Sequence, residues 1–274
     1  MSHYDNIILE IDGDTANITL NRPAKKNCMS PALHADMCAA LKEVEAARVK
    51  VLVLTGAGDA FCGGMDLEKC FFDNWDDPEK FMEGIGYSFT WMKHLKAFPA
   101  VTIAKVNGWC FGGGMQVVGL CDIAIVAEES TWGLSEVNFG IFPGGGTTWT
   151  VANNMPSRKQ ALYYALTADT FSGKEAVELG WASKAVPLAE LDAHTQKVVD
   201  GLVRKGRTVL AKTKEVYERI FAMDFPEAID YEIAKLFELS RLTDDDWIRT
   251  ALSSFKKREY KPGIENYQLK RGDI

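Results

Sequence analysis

A single carboxylate in an uncommon setting is the first candidate for chemistry. Glu136 stands in the stretch Thr131–Gly146, which is rich in glycine, aromatic and apolar residues. Burial raises the pKa of a carboxyl group, and a raised pKa suits a group that both takes and gives a proton. The sequence therefore indicates Glu136 as a general acid–base. The alternative interpretation is structural, with the carboxylate capping a local N–H group or pairing with a base.

Two glycine-rich turns are candidates for holding a negative oxygen. The first contains Gly64 and Met65, and the second contains the run Gly112–Gly114. Each follows a predicted buried strand and opens a predicted helix, where backbone N–H groups are unpaired and point outward. The second turn has neither GxGxxG nor Walker spacing, so a nucleotide loop is excluded there. The pair indicates two N–H donors for a developing oxyanion. The alternative is a plain connecting turn in the first case and close helix packing in the second.

The elements that must position these groups form an alternating pattern. Residues 51–55, 101–106 and 123–127 are short, apolar on both faces and rich in β-branched residues, which is typical of buried parallel strands. Helical stretches separate them, so the sequence predicts an α/β core. Residues 6–11 and 15–21 favour a hairpin, and Ser30 with Pro31 predicts a helix start. From about residue 157 to residue 258 the pattern is mainly helical, apart from a short strand near residues 183–186.

Composition excludes several classes. The formal net charge of −7 over 274 residues argues against a nucleic-acid-binding protein. No apolar run approaches the roughly 20 residues that span a bilayer, and the first residues lack signal-peptide character, so we expect a cytoplasmic protein. The six cysteines contain no CxxC pair and are expected to be free thiols, and the four histidines are scattered. The sequence therefore predicts neither a metal site nor a redox cofactor.

Together, the three glycine-rich segments resemble the crotonase, or enoyl-CoA hydratase/isomerase, superfamily. The resemblance extends over nearly the whole chain, through Asn21–Pro23, Asn27–Ser30, Leu54–Phe61, Gly112–Gly114 and Glu175–Leu188. It implies a spiral of ββα units over residues 1–200 that binds an acyl-CoA thioester. It also implies a C-terminal helical region, residues 201–274, for trimerisation and for closing the acyl pocket. The expected assembly is a homotrimer or a dimer of trimers, and coenzyme A enters only as part of the substrate.

The resemblance also implies roles for individual residues. The backbone N–H groups of Met65 and Gly113 would hold the thioester oxygen. Glu136 would then orient and deprotonate a water for hydration, and Gln116 would hold that water without exchanging a proton. Lys25 or Lys26 would lie near the coenzyme A phosphates, with a solvated surface charge as the alternative. The full set of expected substrate-binding residues is Lys25, Lys26, Cys28, Gly64, Cys70, Gly112, Phe139, Tyr231 and Ile233.

Within the superfamily the chain resembles the hydratase-lyases that act on hydroxycinnamoyl-CoA. The similar stretches are Val106–Gly114, Gly133–Ile141, Gln160–Tyr164, Ala234–Leu236 and Ser240–Leu242. Such enzymes hydrate an aromatic enoyl-CoA and cleave the β-hydroxy adduct to an aldehyde and acetyl-CoA.

The chain departs from its relatives at three positions. Gln116 stands where ordinary hydratases have their first catalytic glutamate and the hydratase-lyases have serine. Cys70 and Ile233 stand where the hydratase-lyases have two tyrosines for the phenolic oxygen, and Tyr231 lies two residues from the second. Recognition of a free 4-hydroxyl group is therefore not implied.

An aromatic stretch offers an acyl pocket. Residues 71–75, Tyr87, Phe89 and Trp91 could line it, with core packing as the alternative. The function expected from the sequence is hydration and cleavage of an aromatic enoyl-CoA. The alternatives are a hydratase or isomerase that uses one carboxylate on another acyl-CoA, a thioester hydrolase, and a non-catalytic coenzyme A-binding protein.

Overall fold

The larger of two sheets holds the strands that the sequence predicts. The computed structural model describes residues 3–259 and 261. Six strands lie in the order β1-β2-β3-β5-β7-β10, with β1 antiparallel to β2 and every later pairing parallel. Their bounds are β1 Ile7–Asp12, β2 Thr15–Leu20, β3 Val51–Gly56, β5 Val101–Val106, β7 Ile123–Ala127 and β10 Lys184–Val186. The predicted hairpin and buried parallel strands are confirmed.

A second sheet consists of four three-residue strands in the order β4-β6-β8-β9. They are β4 Ala60–Cys62, β6 Trp109–Phe111, β8 Thr131–Gly133 and β9 Thr170–Ser172. The pairs β3 and β4, β5 and β6, and β7 and β8 each give one strand to each sheet, so the predicted spiral of ββα units is confirmed. The mainly helical prediction from residue 157 onward missed β9, because three residues are too few to show an alternating pattern.

Eleven α-helices surround the sheets in the described part of the chain. The first seven are α1 Pro31–Ala46, α2 Leu67–Cys70, α3 Pro78–Lys96, α4 Gly113–Leu120, α5 Thr147–Asn154, α6 Arg158–Thr167 and α7 Gly173–Glu178. The last four are α8 Leu191–Val203, α9 Arg207–Ile220, α10 Phe225–Leu242 and α11 Ser253–Lys256. Short 3₁₀ turns occur at Pro23–Lys25, Phe72–Asn74, Glu136–Phe139 and Leu188–Glu190, and a π-helical turn at Trp247–Leu252.

Apolar residues fill both faces of the larger sheet. On one face the apolar stripe of α1, from Leu33 to Val44, is fully buried, and α1 packs on α3. On the other face Leu191 and Val199 of α8 pack against strands β3, β5 and β7. A parallel sheet covered on both sides gives rigid strand ends, and the candidate site is built beyond those ends.

Two long helices dominate the C-terminal region. α9 and α10 pack on each other, and Lys212 and Lys235 both pair with Glu215 and Glu238 between them. The predicted helical character of this region is confirmed where it is described. Residues 260 and 262–274 of the predicted region lie outside the described residues. The predicted division at residue 200 stays a prediction, and that residue lies inside α8.

No helix in the described residues combines the length and the apolar character that a membrane crossing needs.

Candidate functional site

A parallel β-bridge between Met65 and Met29, which lies just before α1, sets the direction of the Met65 N–H. The Met29 N–H donates to the Gly64 carbonyl at 2.8 Å, and the Asp66 N–H donates to the Met29 carbonyl at 2.9 Å. In a parallel pairing of this kind, the residue between the two bonded ones turns its own N–H to the other side. Within residues 3–259 and 261, no acceptor takes the Met65 N–H. The geometry leaves it available to a ligand.

Gly113 supplies a second amide beside the first. It is the first residue of α4, where an N–H has no partner inside the helix, while the preceding Gly112 N–H donates to the Gly133 carbonyl at 3.0 Å. A methyl group added to Gly113 would lie 3.7 Å from the Met65 amide nitrogen, and one added to Gly64 would lie 3.6 Å from the Gly113 nitrogen. The Met65 and Gly113 amides, which were predicted as the oxyanion donors, therefore border one small space.

The Glu136 carboxylate lies against Gly112, the residue directly before the Gly113 amide. A methyl group added to Gly112 would lie 2.8 Å from Oε1 of Glu136. The φ angle of Gly112 is +47°, so both the lack of space and the backbone conformation favour glycine here. Oε2 of Glu136 is buried and has no hydrogen-bond partner in the described chain. Burial raises the pKa of Glu136, and its own backbone N–H offsets this only in part. Among residues 3–259 and 261 the carboxylate has no basic partner, so the structural alternative of a paired charge has no support there.

Gln116 is tied to the turn that follows Glu136. Its Nε2 donates to the Gly145 carbonyl at 2.7 Å, and its Oε1 accepts from the Thr147 hydroxyl at 3.4 Å. A methyl group on Gly146 would lie 2.5 Å from the same Nε2, so the turn closes tightly over the carboxamide. For the expected role of holding a water, one N–H of Nε2 and one lone pair of Oε1 remain within the described chain. The main observed contacts of the Gln116 side chain are with Gly145 and Thr147 in the turn.

The two candidate lysines lie at the surface. Lys25 pairs with Glu68 at 3.6 Å, and Lys26 pairs with Asp59 and lies 5.9 Å from the centre of the Trp109 ring. Their side chains are 61% and 47% exposed. Both lysines are accessible from solvent and both already have carboxylate partners. Contact with coenzyme A phosphates stays a prediction.

The two candidate cysteines are packed beneath the Met29–Met65 bridge. The Cys70 thiol donates to the Met29 carbonyl at 3.3 Å, and burial raises its pKa to about 12. Cys28 lies against Gly63, where a methyl group would be 2.9 Å from its sulfur, and burial raises its pKa as well. Both are neutral thiols that support the turn.

The three remaining candidates lie away from this bridge or at the surface. The Tyr231 hydroxyl donates to Glu215 at 3.2 Å and Lys235 lies over the ring, so Tyr231 contacts α9 rather than the turns that carry Met65 and Glu136. Ile233 on α10 is 50% exposed, and Phe139, which ends the 3₁₀ turn of Glu136, is 64% exposed. Substrate contact by these three residues stays a prediction.

The aromatic stretch divides into core and surface residues. Trp91 is fully buried and donates from Nε1 to Nδ1 of His34 at 2.8 Å, so it is a core residue. Phe72 and Trp75 are 83% and 73% exposed, and Trp75 meets Phe81 edge to face. Tyr87 lines a cavity of about 620 Å³ between α1 and α3, which Met65, Gly113 and Glu136 do not line. Phe72 and Trp75, just after α2, are therefore the candidates for an acyl contact.

One part of the site has no counterpart among the sequence-based predictions. Arg22 and Asp66 form a largely buried ion pair at 2.8 Å directly beside the Met65 turn. Asp66 also accepts from the Lys69 N–H and so begins α2. The sequence does contain a signal for Asp66, because an aspartate directly before a helical stretch is a typical N-cap residue. The arginine partner, 44 residues away, has no local signal.

The comparisons place the chain in a family. A model of the enoyl-CoA hydratase/isomerase family matches residues 10–262. The chain therefore belongs to that family, within the crotonase superfamily, and is an enzyme of the enoyl-CoA hydratase/lyase group.

Individual relatives cover nearly the full length. The chain is 39% identical to a hydroxycinnamoyl-CoA hydratase-lyase of Pseudomonas fluorescens, over 98% of this chain and 100% of the relative. It is 28% identical to a short-chain-enoyl-CoA hydratase of Clostridium acetobutylicum, over 96% and 98%. The crystal structure of an enoyl-CoA hydratase from Bacillus anthracis superposes with a TM-score of 0.82 at 27% identity, over 93% of this chain and 97% of the other. The predicted fold and the predicted family are confirmed.

Proposed function

We propose that this enzyme hydrates an aromatic enoyl-CoA thioester and then cleaves the β-hydroxy adduct to an aldehyde and acetyl-CoA. The observation that carries the proposal is a buried carboxylate oxygen on Glu136 beside the Met65 and Gly113 amides, with all three groups unpaired within the described part of the chain. Gln116 cannot serve as a second carboxylate. The 39% identity to a hydroxycinnamoyl-CoA hydratase-lyase supports the same chemistry.

The hydration step uses both parts of the site. Glu136 takes a proton from water, the hydroxide oxygen adds to the β-carbon, and the double-bond electrons move to the thioester oxygen. The Met65 and Gly113 N–H groups stabilise that oxyanion, each by about 3 kcal/mol in comparable sites. Glu136 then returns the proton to the α-carbon, which gives the β-hydroxy thioester.

Cleavage passes through the same charge distribution. Glu136 takes the proton of the β-hydroxyl group, the bond between the α- and β-carbons breaks, and its electron pair forms the enolate. The aldehyde leaves, and Glu136 gives its proton to the enolate carbon, which forms acetyl-CoA. One oxyanion site serves both steps, and the proposal needs no cofactor beyond the coenzyme A that the substrate carries.

An aromatic acyl group is supported by the exposed side chains Phe72 and Trp75 beside α2. Recognition of a free 4-hydroxyl group has no such support. The Cys70 thiol is bonded to the Met29 carbonyl, and Ile233 has no polar side-chain atom. We therefore expect cinnamoyl-CoA and 4-hydroxycinnamoyl-CoA to react at similar rates.

The decisive experiment is incubation with crotonyl-CoA, cinnamoyl-CoA and 4-hydroxycinnamoyl-CoA, with mass spectrometry of all products. The proposal expects an aromatic aldehyde and acetyl-CoA in equal amounts, with faster turnover of the aromatic substrates. Hydroxyacyl-CoA alone would show a hydratase, a shifted double bond would show an isomerase, and free coenzyme A without aldehyde would show a hydrolase. A strong preference for crotonyl-CoA would contradict the aromatic assignment.

We further propose a cytoplasmic homotrimer or dimer of trimers, as the resemblance implies. Large apolar side chains stand exposed on and near α10, including Phe221, Phe225 and Phe237 at 87%, 78% and 68%. Exposed apolar area on this scale is typical of an association surface. Light scattering after size-exclusion chromatography should give three or six chains, and a monomer at micromolar concentration would contradict the proposal.

A further inference from the structure

The Met65 turn is held by a buried ion pair. The Arg22 guanidinium contacts both chain segments of the Met29–Met65 bridge. Nη1 donates to the Cys28 carbonyl, directly before Met29, and Nη2 donates to Oδ2 of Asp66 at 2.8 Å, directly after Met65. The two side chains are only 18% and 7% exposed. One planar group therefore fastens the two segments whose pairing directs the Met65 N–H.

Asp66 connects this pair to the rest of the turn. Its backbone N–H donates to the Met29 carbonyl, and its Oδ1 accepts from the Lys69 N–H at the start of α2. Burial would raise the pKa of Asp66, but the hydrogen bonds from Arg22 and from the Lys69 backbone outweigh burial and hold that pKa below its usual value. Asp66 is therefore a carboxylate, with both oxygens occupied.

Arg22 is itself fixed on the other side. Its backbone N–H donates to Oδ1 of Asn27, and Nδ2 of Asn27 donates to the carbonyls of Ala57 and Ala60 at the end of β3 and the start of β4. The ion pair is thus anchored to the rigid end of the larger sheet. A displacement of the Met65 amide relative to Gly113 would have to break this chain of contacts.

We propose that Arg22 and Asp66 are positioning residues, which fix the Met65 N–H so that it and Gly113 converge on the thioester oxygen. The inference rests on the proposed oxyanion role of Met65. A misplacement of a catalytic group by about 1 Å costs on the order of a hundredfold in rate, so loosening the turn should act on turnover rather than on binding.

The test compares Asp66→Asn, Arg22→Lys and Arg22→Met. Asparagine keeps the oxygen that begins α2 but places an NH₂ group opposite Arg22. Lysine keeps the charge but cannot span both acceptors, so it should rescue only part of the loss that methionine causes. The matched control is Lys50→Met, which breaks the Lys50–Asp14 pair at the other end of β3, where the Lys50 side chain is 11% exposed.

Three readouts separate positioning from general stability. We expect kcat to fall at least about tenfold with KM changed by no more than about threefold in Asp66→Asn and Arg22→Met. In a Glu136→Gln background, bound cinnamoyl-CoA should lose most of the absorption red-shift that polarisation of its carbonyl produces. Hydrogen exchange in peptides covering Met29 should accelerate. Lys50→Met should lower the melting temperature and leave all three readouts unchanged.

The inference is overturned if Asp66→Asn and Arg22→Met keep wild-type exchange at Met29 and a wild-type spectrum, or if Lys50→Met changes these as much. The exchange measurement needs no substrate. If the unmodified enzyme turns over no enoyl-CoA, the proposed function fails, while the exchange data still decide whether the ion pair holds the turn.

Discussion

Glu136 shows how one side chain gains its chemistry from its neighbours. Oε1 lies against Gly112, Oε2 has no partner in the described chain, and burial raises the pKa. A carboxylate that lacks a charge partner is costly in the folded state, and retention of such a group is typical of catalytic sites.

Replacing Glu136 by Gln should lower kcat by about 10²–10⁴ while the dissociation constant of the thioester changes little, because the group moves protons but does not hold coenzyme A. In the unmodified enzyme, kcat/KM should fall with decreasing pH as Glu136 becomes protonated, at a higher pH than for an exposed glutamate. Steady-state kinetics between pH 4 and pH 9 measures this. Glu178→Gln, at the exposed end of α7, is the control. Unchanged turnover in Glu136→Gln would refute the role.

The site elements could be predicted from the sequence only in part. The strands of the larger sheet and the glycine turns have local patterns, so the positions of Met65, Gly113 and Glu136 were predicted from pattern together with the family resemblance. The Arg22–Asp66 pair and the turn contacts of Gln116 join distant segments, and no local pattern encodes them. Trp91 is a core residue, the alternative that the sequence left open, because an aromatic residue on a helix gives the same pattern whether it faces the core or a ligand.

The turn after Glu136 depends on a carboxamide at position 116. Gln116→Glu would replace the Nε2 donor by an oxygen facing the Gly145 carbonyl. We expect a loss of about 1–3 kcal/mol in the free energy of unfolding, and lower activity rather than a faster two-carboxylate hydratase. Chemical denaturation and steady-state kinetics measure the two effects. Gln160→Glu on the exposed face of α6 is the control, and a gain in hydration rate in Gln116→Glu would contradict the tethering role.

The pairing of α1 with α3 should make stability depend on pH. His34 is fully buried and accepts from Trp91 at Nδ1, and burial lowers its pKa from 6.5 to about 4. The unfolded chain therefore binds the proton more readily, so stability is complete above pH 6.5 and falls as the pH drops toward 4. Between pH 6.5 and pH 5 the loss should be about 2 kcal/mol. Denaturation of wild type and His34→Gln across this range measures it, and an equal slope in both would contradict the prediction.

At the scale of the molecule, Lys214 fastens α9 to the core. Its Nζ pairs with Asp122 at 2.8 Å and donates to the Phe98 carbonyl at 2.8 Å, and both side chains of the ion pair are largely buried. α10, which has the exposed apolar face, packs on α9. The attachment of the C-terminal helices therefore depends on a few polar contacts as well as on apolar packing.

Lys214→Met should leave Asp122 buried without its cation and destabilise the protein by about 3 kcal/mol. Exchange in α9 should rise before exchange in the larger sheet. Lys105→Met, which breaks a pair with the exposed Asp192, should cost less than about 1 kcal/mol and serves as the control. Equal losses in the two variants, measured by denaturation and hydrogen exchange, would contradict this account of the attachment.

The central claim is that two backbone amides hold the thioester oxygen of the substrate. The most direct measurement is a crystal structure of the Glu136→Gln enzyme with cinnamoyl-CoA bound. The account predicts the thioester oxygen about 2.7–3.1 Å from the amide nitrogens of both Met65 and Gly113. A thioester oxygen turned away from these nitrogens, or bound by other groups, would contradict it.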